Sequence, residues 1–400
     1  MTGLSTQRSW LEISESAFRH NIQQLSALLG STELALVVKS NAYGHGMHEI
    51  AQLSEQLPEI SWLCTAGLQE ALDLKIKSKT TKKVLALSYL DADAESAAKY
   101  GIHCGIYDYH TAYGLNQAAQ HVGKPLAVHI KVDTGMSRLG VPPEQVVSFI
   151  RQLQTLSHIT IYGIFTHLCD TANPDATFSQ LQLARFNAVL LELESVGIRI
   201  PLSHALSSSG LSIATSQKYN LLRAGALAYG MWKSHEQQQL VSTLYPGFNL
   251  QPVMSWKTHI AQIKQIPKDS YIGYNCTYKT SRQSTIALLP VGYWDGYPRG
   301  LSNNGFVVVK NQKAPVVGIV SMNLTAIDIT AIPNVTMHDI VTLVGHEQIS
   351  LIQVADYAST IPNEIATRIS SSLPRVILPQ NQLPLNISKT REVPYTENIL

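Results

Sequence analysis

Cysteine, charge and long apolar runs are all scarce in this chain of 400 residues. The four cysteines, Cys64, Cys104, Cys169 and Cys276, are scattered, with no pair at CxxC spacing. That spacing argues against a disulfide scaffold and a cysteine-rich zinc site. Charged residues make up only 14% and the formal net charge is +2, so nothing resembles a nucleic-acid footprint. No apolar run approaches the roughly 20 residues of a membrane span, and neither a membrane nor a nucleic acid is an expected partner. The opening residues reach Trp10 and Glu12 without a basic region followed by an apolar segment. No secretory signal is read there, and the cytoplasm is the expected location.

Apolar residues are plentiful at 45%, and the length suffices for two domains and a large core. The stretch Ala35-Leu36-Val37-Val38-Lys39-Ser40-Asn41-Ala42-Tyr43-Gly44-His45-Gly46 organises the chain. It begins as a buried strand and switches abruptly to a lysine and a Gly-rich turn. In parallel α/β folds ligands sit at the C-terminal ends of strands. An amine held there loses solvation, its pKa falls, and it becomes a Schiff-base former or general base. A lysine snorkelling from a strand edge is the plainer reading of this stretch alone.

Strand and helix signals then alternate. Besides the lysine strand, strands are predicted at 61–64, 84–87, 104–107, 126–132, 160–166, 200–203 and 226–229. The clearest helices between them are 47–57, 68–74, 92–100, 143–153 and 179–193. Eight such units over residues 12–245 predict a (β/α)8 TIM barrel. A doubly wound sheet would use fewer units, and its dinucleotide-binding form would show GxGxxG after the first strand; that motif is missing. After Pro246 strand-like segments and Gly-, Asn- and Pro-rich turns dominate. They predict a mostly β C-terminal domain, 246–400, joined by the N-terminal residues 1–11.

Polar residues recur at the predicted strand ends: Lys39 and Tyr43, then Lys131, Asp133 and Arg138, then His167, His204, and the pair Arg223 and Gly225. Each alone is an ordinary surface or core residue, and the recurrence at one barrel end is what informs. Ser207, Ser208 and Ser209 precede a predicted helix and resemble an anion site. His167 and His204 have no HExxH partner and no carboxylate triad, so no metal is expected. In the β half, the segments 271–278 and 290–297 are dense in glycine and aromatics. They read either as tight turns with aromatic packing or as a tyrosine-rich lip over a site.

These segments together resemble the pyridoxal phosphate (PLP)-dependent alanine racemases. The resemblance rests on Val38 to Gly46, Lys131 to Gly140, Thr166-His167, Arg223-Ala224-Gly225, Gly273-Tyr274 and Gly292-Tyr293 with Asp295-Gly296, and runs from about Trp10 to Arg375. It implies a barrel plus a β domain, a homodimer with shared active sites and a small amino-acid substrate. By that resemblance Lys39 binds PLP covalently and serves as the D-side base, while Tyr274 of the partner subunit is the L-side base. Tyr43, Ser208 and the backbone at Gly225 hold the phosphate, Arg223 meets the pyridine nitrogen, and His167 lies beside the ring. Arg138, oriented by a carbamylated Lys131, holds the substrate carboxylate or Tyr274. His204 orients its neighbours, and Tyr293 and Met322 line the substrate side.

Some residues depart from the family pattern. Ser207 stands where an Asn usually precedes the phosphate serine, Ile319 and Asn323 where an Arg and an Asp are usual, and Asn363 where many members have Tyr. The resemblance therefore implies an alanine racemase, with a serine or broad-specificity racemase as the alternative. Decarboxylases of this fold place a Cys opposite the lysine, and here the matching region offers Tyr274, with Cys276 two residues away. A non-catalytic PLP carrier is normally a barrel alone, which the segment after Pro246 opposes.

Overall fold

The computed structural model describes residues 7–379 except 172, 174, 214–218 and 346. Among these, two compact units separate: one built from residues 17–253 and 360–375, the other from the N-terminal residues up to 16, residues 254–359 and those from 376 onward.

The first unit is a parallel eight-stranded barrel. Its strands in chain order are Glu33–Val37, Ile60–Gly67, Lys83–Tyr89, His103–Ile106, Leu126–Lys131, Ile159–Phe165, Leu202–His204 and Leu221–Ala224. Each of the first six pairs with the next, and the eighth pairs with the first, Glu33 opposite Leu221 and Ala35 opposite Arg223. The seventh and eighth meet through the bridge from Ser207 to Arg223. The strands are short apolar runs because both faces are covered, as parallel sheets require. Ala35, Val37, Trp62, Cys64, Leu85, Leu202 and Leu221 form one buried cluster.

The predicted helices are present, and others join them, among them Tyr109–Val122, capped by the Asp108 carboxylate on the Thr111 N–H, and His235–Leu244, capped by Ser234. One expected strand is corrected. Residues Ala226–Tyr229 form a single 3₁₀ turn, and the closing strand lies just before it, at Leu221–Ala224. A short apolar run does not distinguish a strand from a buried turn. The true strand was masked by the arginine in its middle, which is 3% exposed. Arg223 is therefore on the last strand, not ahead of it.

The second unit is mostly β. A six-stranded sheet runs in the order Gln312–Pro315, Phe306–Val309, Ile340–Val344, Met254–His259, Ser9–Ser14, Arg375–Leu378. A three-stranded sheet joins Gln262–Ile266, Ser284–Leu289 and Thr325–Asp328. Trp10, Trp256 and Tyr297 are fully buried here, and the Trp256 indole donates to Ser9 Oγ at 2.7 Å. No helix among the described residues is long and apolar enough to cross a membrane.

Candidate active site

Lys39 follows the first barrel strand directly, and the chain then enters an uncommon conformation. Ser40, Asn41, Ala42 and Tyr43 have φ of 54°, 55°, 52° and 53°, a left-handed turn that costs L-residues about 1–2 kcal/mol each. Such strain persists only where the surroundings over-determine it, as at functional sites. Here the Ala42 N–H donates to Val38 O at 2.8 Å and the Met47 N–H to Asn41 Oδ1 at 2.8 Å. The Ser40 N–H donates to Glu70 at 2.6 Å, and Arg375 donates to Gly44 O at 3.0 Å. The helix Pro362–Arg368 presses on the turn so closely that a Cβ at Gly44 would overlap the Ala366 carbonyl.

The turn delivers Tyr43 to Gly225. A Cβ on Gly225 would lie 2.6 Å from the Tyr43 hydroxyl, and the Gly225 N–H donates to Ser208 Oγ at 2.9 Å. Two hydroxyls and a backbone turn thus share one small cradle that a larger residue at 225 would fill. Burial pushes Tyr43 up to about 12, so its phenol stays a donor. Ser208 accepts from Gly225 and keeps its own O–H free to donate.

Cations crowd the same barrel end. Lys39 is lowered from the ordinary lysine value by burial and then by Arg138, with Arg223 adding to the effect and Glu70 opposing it. Burial, Arg138, Arg223 and Lys39 together bring Lys131 down to about 8, against a smaller opposing pull from Asp133. Burial and then the charges of Arg223, Arg138, Lys39 and Lys131 bring His167 down to about 3. Mutual influence of this kind places all five groups within electrostatic reach. Arg138 is carried on a loop that Asp133 ties down, accepting from the N–H groups of Gly135, Ser137 and Arg138 at 3.0, 3.0 and 3.2 Å. Arg223 is buried without a carboxylate partner among the described residues. It donates to His204 Nδ1 at 2.6 Å and His204 O at 3.2 Å, and to Thr166 O and Ala205 O at 2.7 and 3.2 Å.

The structure thus brings together Lys39, Tyr43, Lys131, Arg138, His167, His204, Ser208, Arg223 and Gly225. An excess of cations beside a hydroxyl cradle suits a ligand bearing a phosphate and a carboxylate. A depressed amine suits a covalent carbonyl cofactor. The residues fit PLP.

The remaining predicted residues are on the β unit. Tyr274 lies in a 3₁₀ turn, Tyr274–Cys276, with Asn275 and Cys276 at positive φ. Tyr293 and Trp294 lie in the next aromatic loop, whose N–H groups donate to Ser321 O and Met322 O at 3.1 and 3.0 Å. Ile272 and Val317 share an apolar cluster. Three loops therefore converge on one face, leaving Tyr274, Tyr293, Trp294 and Met322 exposed. Asp295, fully buried and paired with Arg8, accepts from the Gly292 N–H and holds the second loop's shape.

Sequence reasoning missed Glu70 and His129. His129 was detectable, because it lies two residues before Lys131 on one strand and so on the same face.

The fold and site define a two-unit protein in which a barrel lysine is poised for a phosphate-bearing carbonyl cofactor. Residues 13–232 match the model of the alanine racemase N-terminal domain and residues 253–377 that of the C-terminal domain. The chain belongs to the alanine racemase family. It is 34% identical over 371 residues to the alanine racemase of Symbiobacterium thermophilum, covering 92% of this chain and 96% of that protein. It is similar in structure to the alanine racemase of Clostridium difficile, with a TM-score of 0.88 and 28% identity over 95% of this chain and 98% of the other. The Bartonella henselae alanine racemase, which has covalently bound pyridoxal phosphate, superimposes with a TM-score of 0.80 and 28% identity over 93% and 99% of the two chains.

Proposed function

We propose that this protein interconverts L-alanine and D-alanine with PLP, supplying D-alanine for peptidoglycan, and that the cation-lined lysine pocket is where it does so. The observation that carries the reading is the joint placement of a depressed lysine amine, a hydroxyl cradle and an arginine with no carboxylate at one barrel end. PLP, when bound, supplies an electron-withdrawing system that makes the Cα proton of an amino acid removable. Everything else is the work of the chain. Tyr43, Ser208 and the backbone at Gly225 hold the phosphate. Arg223 would meet the ring nitrogen, where its fixed positive charge would disfavour a second one. That restrains the cofactor and limits side reactions. Lys39 anchors the cofactor and then moves a proton at the D face of Cα. Arg138, oriented by Lys131, holds the substrate carboxylate.

Racemisation needs a second acid–base group on the opposite face. We assign it to Tyr274 of the partner subunit in a homodimer. The exposure of Tyr274 and its neighbours on one face of the β unit supports that reading, since contiguous exposed aromatics mark an interaction surface. Incubating the purified protein with PLP and L-alanine and resolving the product enantiomers tests the function. D-Alanine should form until the two isomers are equal, and none above a protein-free control would overturn the reading. A second reading, a serine or broader racemase, is favoured by Asn363. It sits in the first turn of the helix docked on the lysine turn, and its side-chain amide has no hydrogen bond among the described residues. L-Serine in the same assay separates the two.

A further inference from the structure

The barrel interior holds a line of three histidine rings. Arg223 donates from Nη1 to His204 Nδ1 at 2.6 Å. His204 Nε2 lies 3.1 Å from His129 Nδ1, and His129 Nε2 lies 3.1 Å from His103 Nδ1. His129 and His204 are wholly buried, and His103 is half-buried.

One fact assigns the protons along the intact line. A guanidinium only donates, so His204 Nδ1 is the bare nitrogen and the proton of that ring is on Nε2. That N–H donates to His129 Nδ1, which must therefore also be bare, and the logic repeats at His103. All three rings are neutral Nε2–H tautomers, aligned in one direction away from Arg223. The surroundings agree. Burial, then neighbouring positive charge, holds His204 and His129 well below the ordinary imidazole value. Burial, Lys83 and Lys75 bring His103 down to about 4. The charged groups facing the line are Arg223 at one end and Lys83 and Lys75 at the other, and no carboxylate contributes. Trp62 stands edge-on to His103 and His129 at 4.8 and 5.6 Å between centroids, and Tyr162 lies 4.8 Å from His103. A side chain at Gly163 would overlap the His129 ring, so glycine makes room for the line.

The line bears on Arg223. Three of the four acceptors that hold its Nη atoms are backbone carbonyls, which always accept. The fourth, His204 Nδ1, accepts only in one tautomer. In the other, two N–H groups would face each other across the contact.

Resting on the role of Arg223 given above, we propose that His129 is a positioning residue for racemisation. By accepting from His204 Nε2–H it keeps His204 Nδ1 bare and so holds the guanidinium at the cofactor ring nitrogen, with His103 fixing His129 in turn.

The test uses protein labelled with ¹⁵N-histidine, with and without PLP, as wild type, His129→Phe and His129→Asn. Phenylalanine keeps a ring and removes the acceptor, whereas asparagine returns an acceptor oxygen near the place of Nδ1. In the wild type, His204 should be protonated at Nε2 alone. In His129→Phe it should show both tautomers, and kcat should fall about tenfold with KM for alanine changed less than about twofold. His129→Asn should restore the single tautomer and most of kcat. A wild-type His204 protonated at Nδ1, a folded His129→Phe protein with unchanged tautomer and kcat, or no restoration by asparagine would overturn the proposal. If His129→Phe fails to fold, His103→Phe removes the next acceptor, and a His129 ring that then keeps a single tautomer overturns it equally. The tautomer readout needs no turnover, so it stands apart from failure of the alanine assay.

Discussion

In the barrel unit, Lys131, His204, Ser208 and Arg223 are 5% exposed or less. In the β unit, Tyr274, Tyr293, Trp294 and Met322 are 45–68% exposed. The contrast is one of kind. Burying a guanidinium among carbonyls and imidazole, with no carboxylate, costs stability that apolar residues would not. Clustered cations repel one another as well. A fold keeps such an arrangement where an anion will complete it, and perturbed groups in one place are the electrostatic mark of a site. The β unit shows the opposite pattern. Its candidate groups ride on loops stitched by backbone hydrogen bonds and present aromatic surface to solvent. The barrel unit thus carries groups suited to a cofactor, and under the proposed assignment the β unit carries a tyrosine that gains a chemical role only when something covers it.

Removing Lys39 should have the largest effect, because under the proposed assignment the covalent anchor and one acid–base group disappear together. Lys39→Ala should lower racemisation by about 10⁴-fold or more. After borohydride treatment, mass spectrometry should find the cofactor adduct in the wild type and none in the variant; an unchanged adduct would place the anchor elsewhere. Next comes Tyr274→Phe, which keeps the ring and should cost about 10²–10⁴-fold. In single turnovers it should abolish Cα-deuterium washout from L-alanine far more than from D-alanine. Equal residual washout from both isomers would make Cys276 the next candidate. Mixing the two inactive proteins under conditions of subunit exchange breaks or sharpens the comparison most directly. A shared site predicts recovery in heterodimers, and none despite confirmed exchange would sink it.

A third expectation concerns the buried cations alone. Lys131 is held near 8 in the folded protein, against 10.5 for an ordinary lysine. Between those values the unfolded chain carries the proton and the folded chain does not, so stability rises with pH across that window. The penalty is complete below about pH 8 and is relieved by about pH 10.5, amounting to about 3 kcal/mol for this side chain of 5% exposure. Urea midpoints of the cofactor-free protein in bicarbonate-free buffer should therefore climb with pH more steeply than those of Lys131→Met. Lys39, lowered in the same direction, is common to both proteins and cancels. Parallel slopes would mean that the Lys131 amine titrates normally.

The barrel was legible because most of its strands are short apolar runs, and Lys39, Lys131, His167 and His204 each fall at or just after a strand end. The closing strand was not, because a periodicity argument expects no arginine at its centre. What makes Arg223 tolerable there, the carbonyls of Thr166, His204 and Ala205 with the His204 ring, comes from other parts of the chain. The left-handed turn after Lys39 was equally hidden. Gly44 and Gly46 announce a turn, but four residues at positive φ depend on Glu70, Arg375 and the helix Pro362–Arg368, which are remote in sequence. The two tyrosine loops could be found by composition, whereas their convergence with the Met322 loop depends on long-range pairing.

The smallest expected effect tests how that remote helix shapes the lysine pocket. Asn363 occupies its first turn, where the backbone carbonyl accepts from Thr367 and the side-chain amide has no hydrogen bond among the described residues. The same helix, through Ala366, sits against Gly44, one residue after Tyr43. A larger side chain at 363 therefore takes space beside the turn that carries both Lys39 and the Tyr43 hydroxyl. Serine differs from alanine by one hydroxyl, and a pocket discriminates so small a group mainly by room and by unmet hydrogen bonds. Asn363→Tyr should cut kcat/KM for serine relative to alanine by about tenfold while leaving alanine turnover within about threefold. Competition between the two substrates in one reaction reads this ratio directly, independent of the active fraction. An unchanged ratio in a folded variant would remove Asn363 from the specificity argument. A fall in both activities together would show that the helix serves the lysine turn itself and not the choice of substrate.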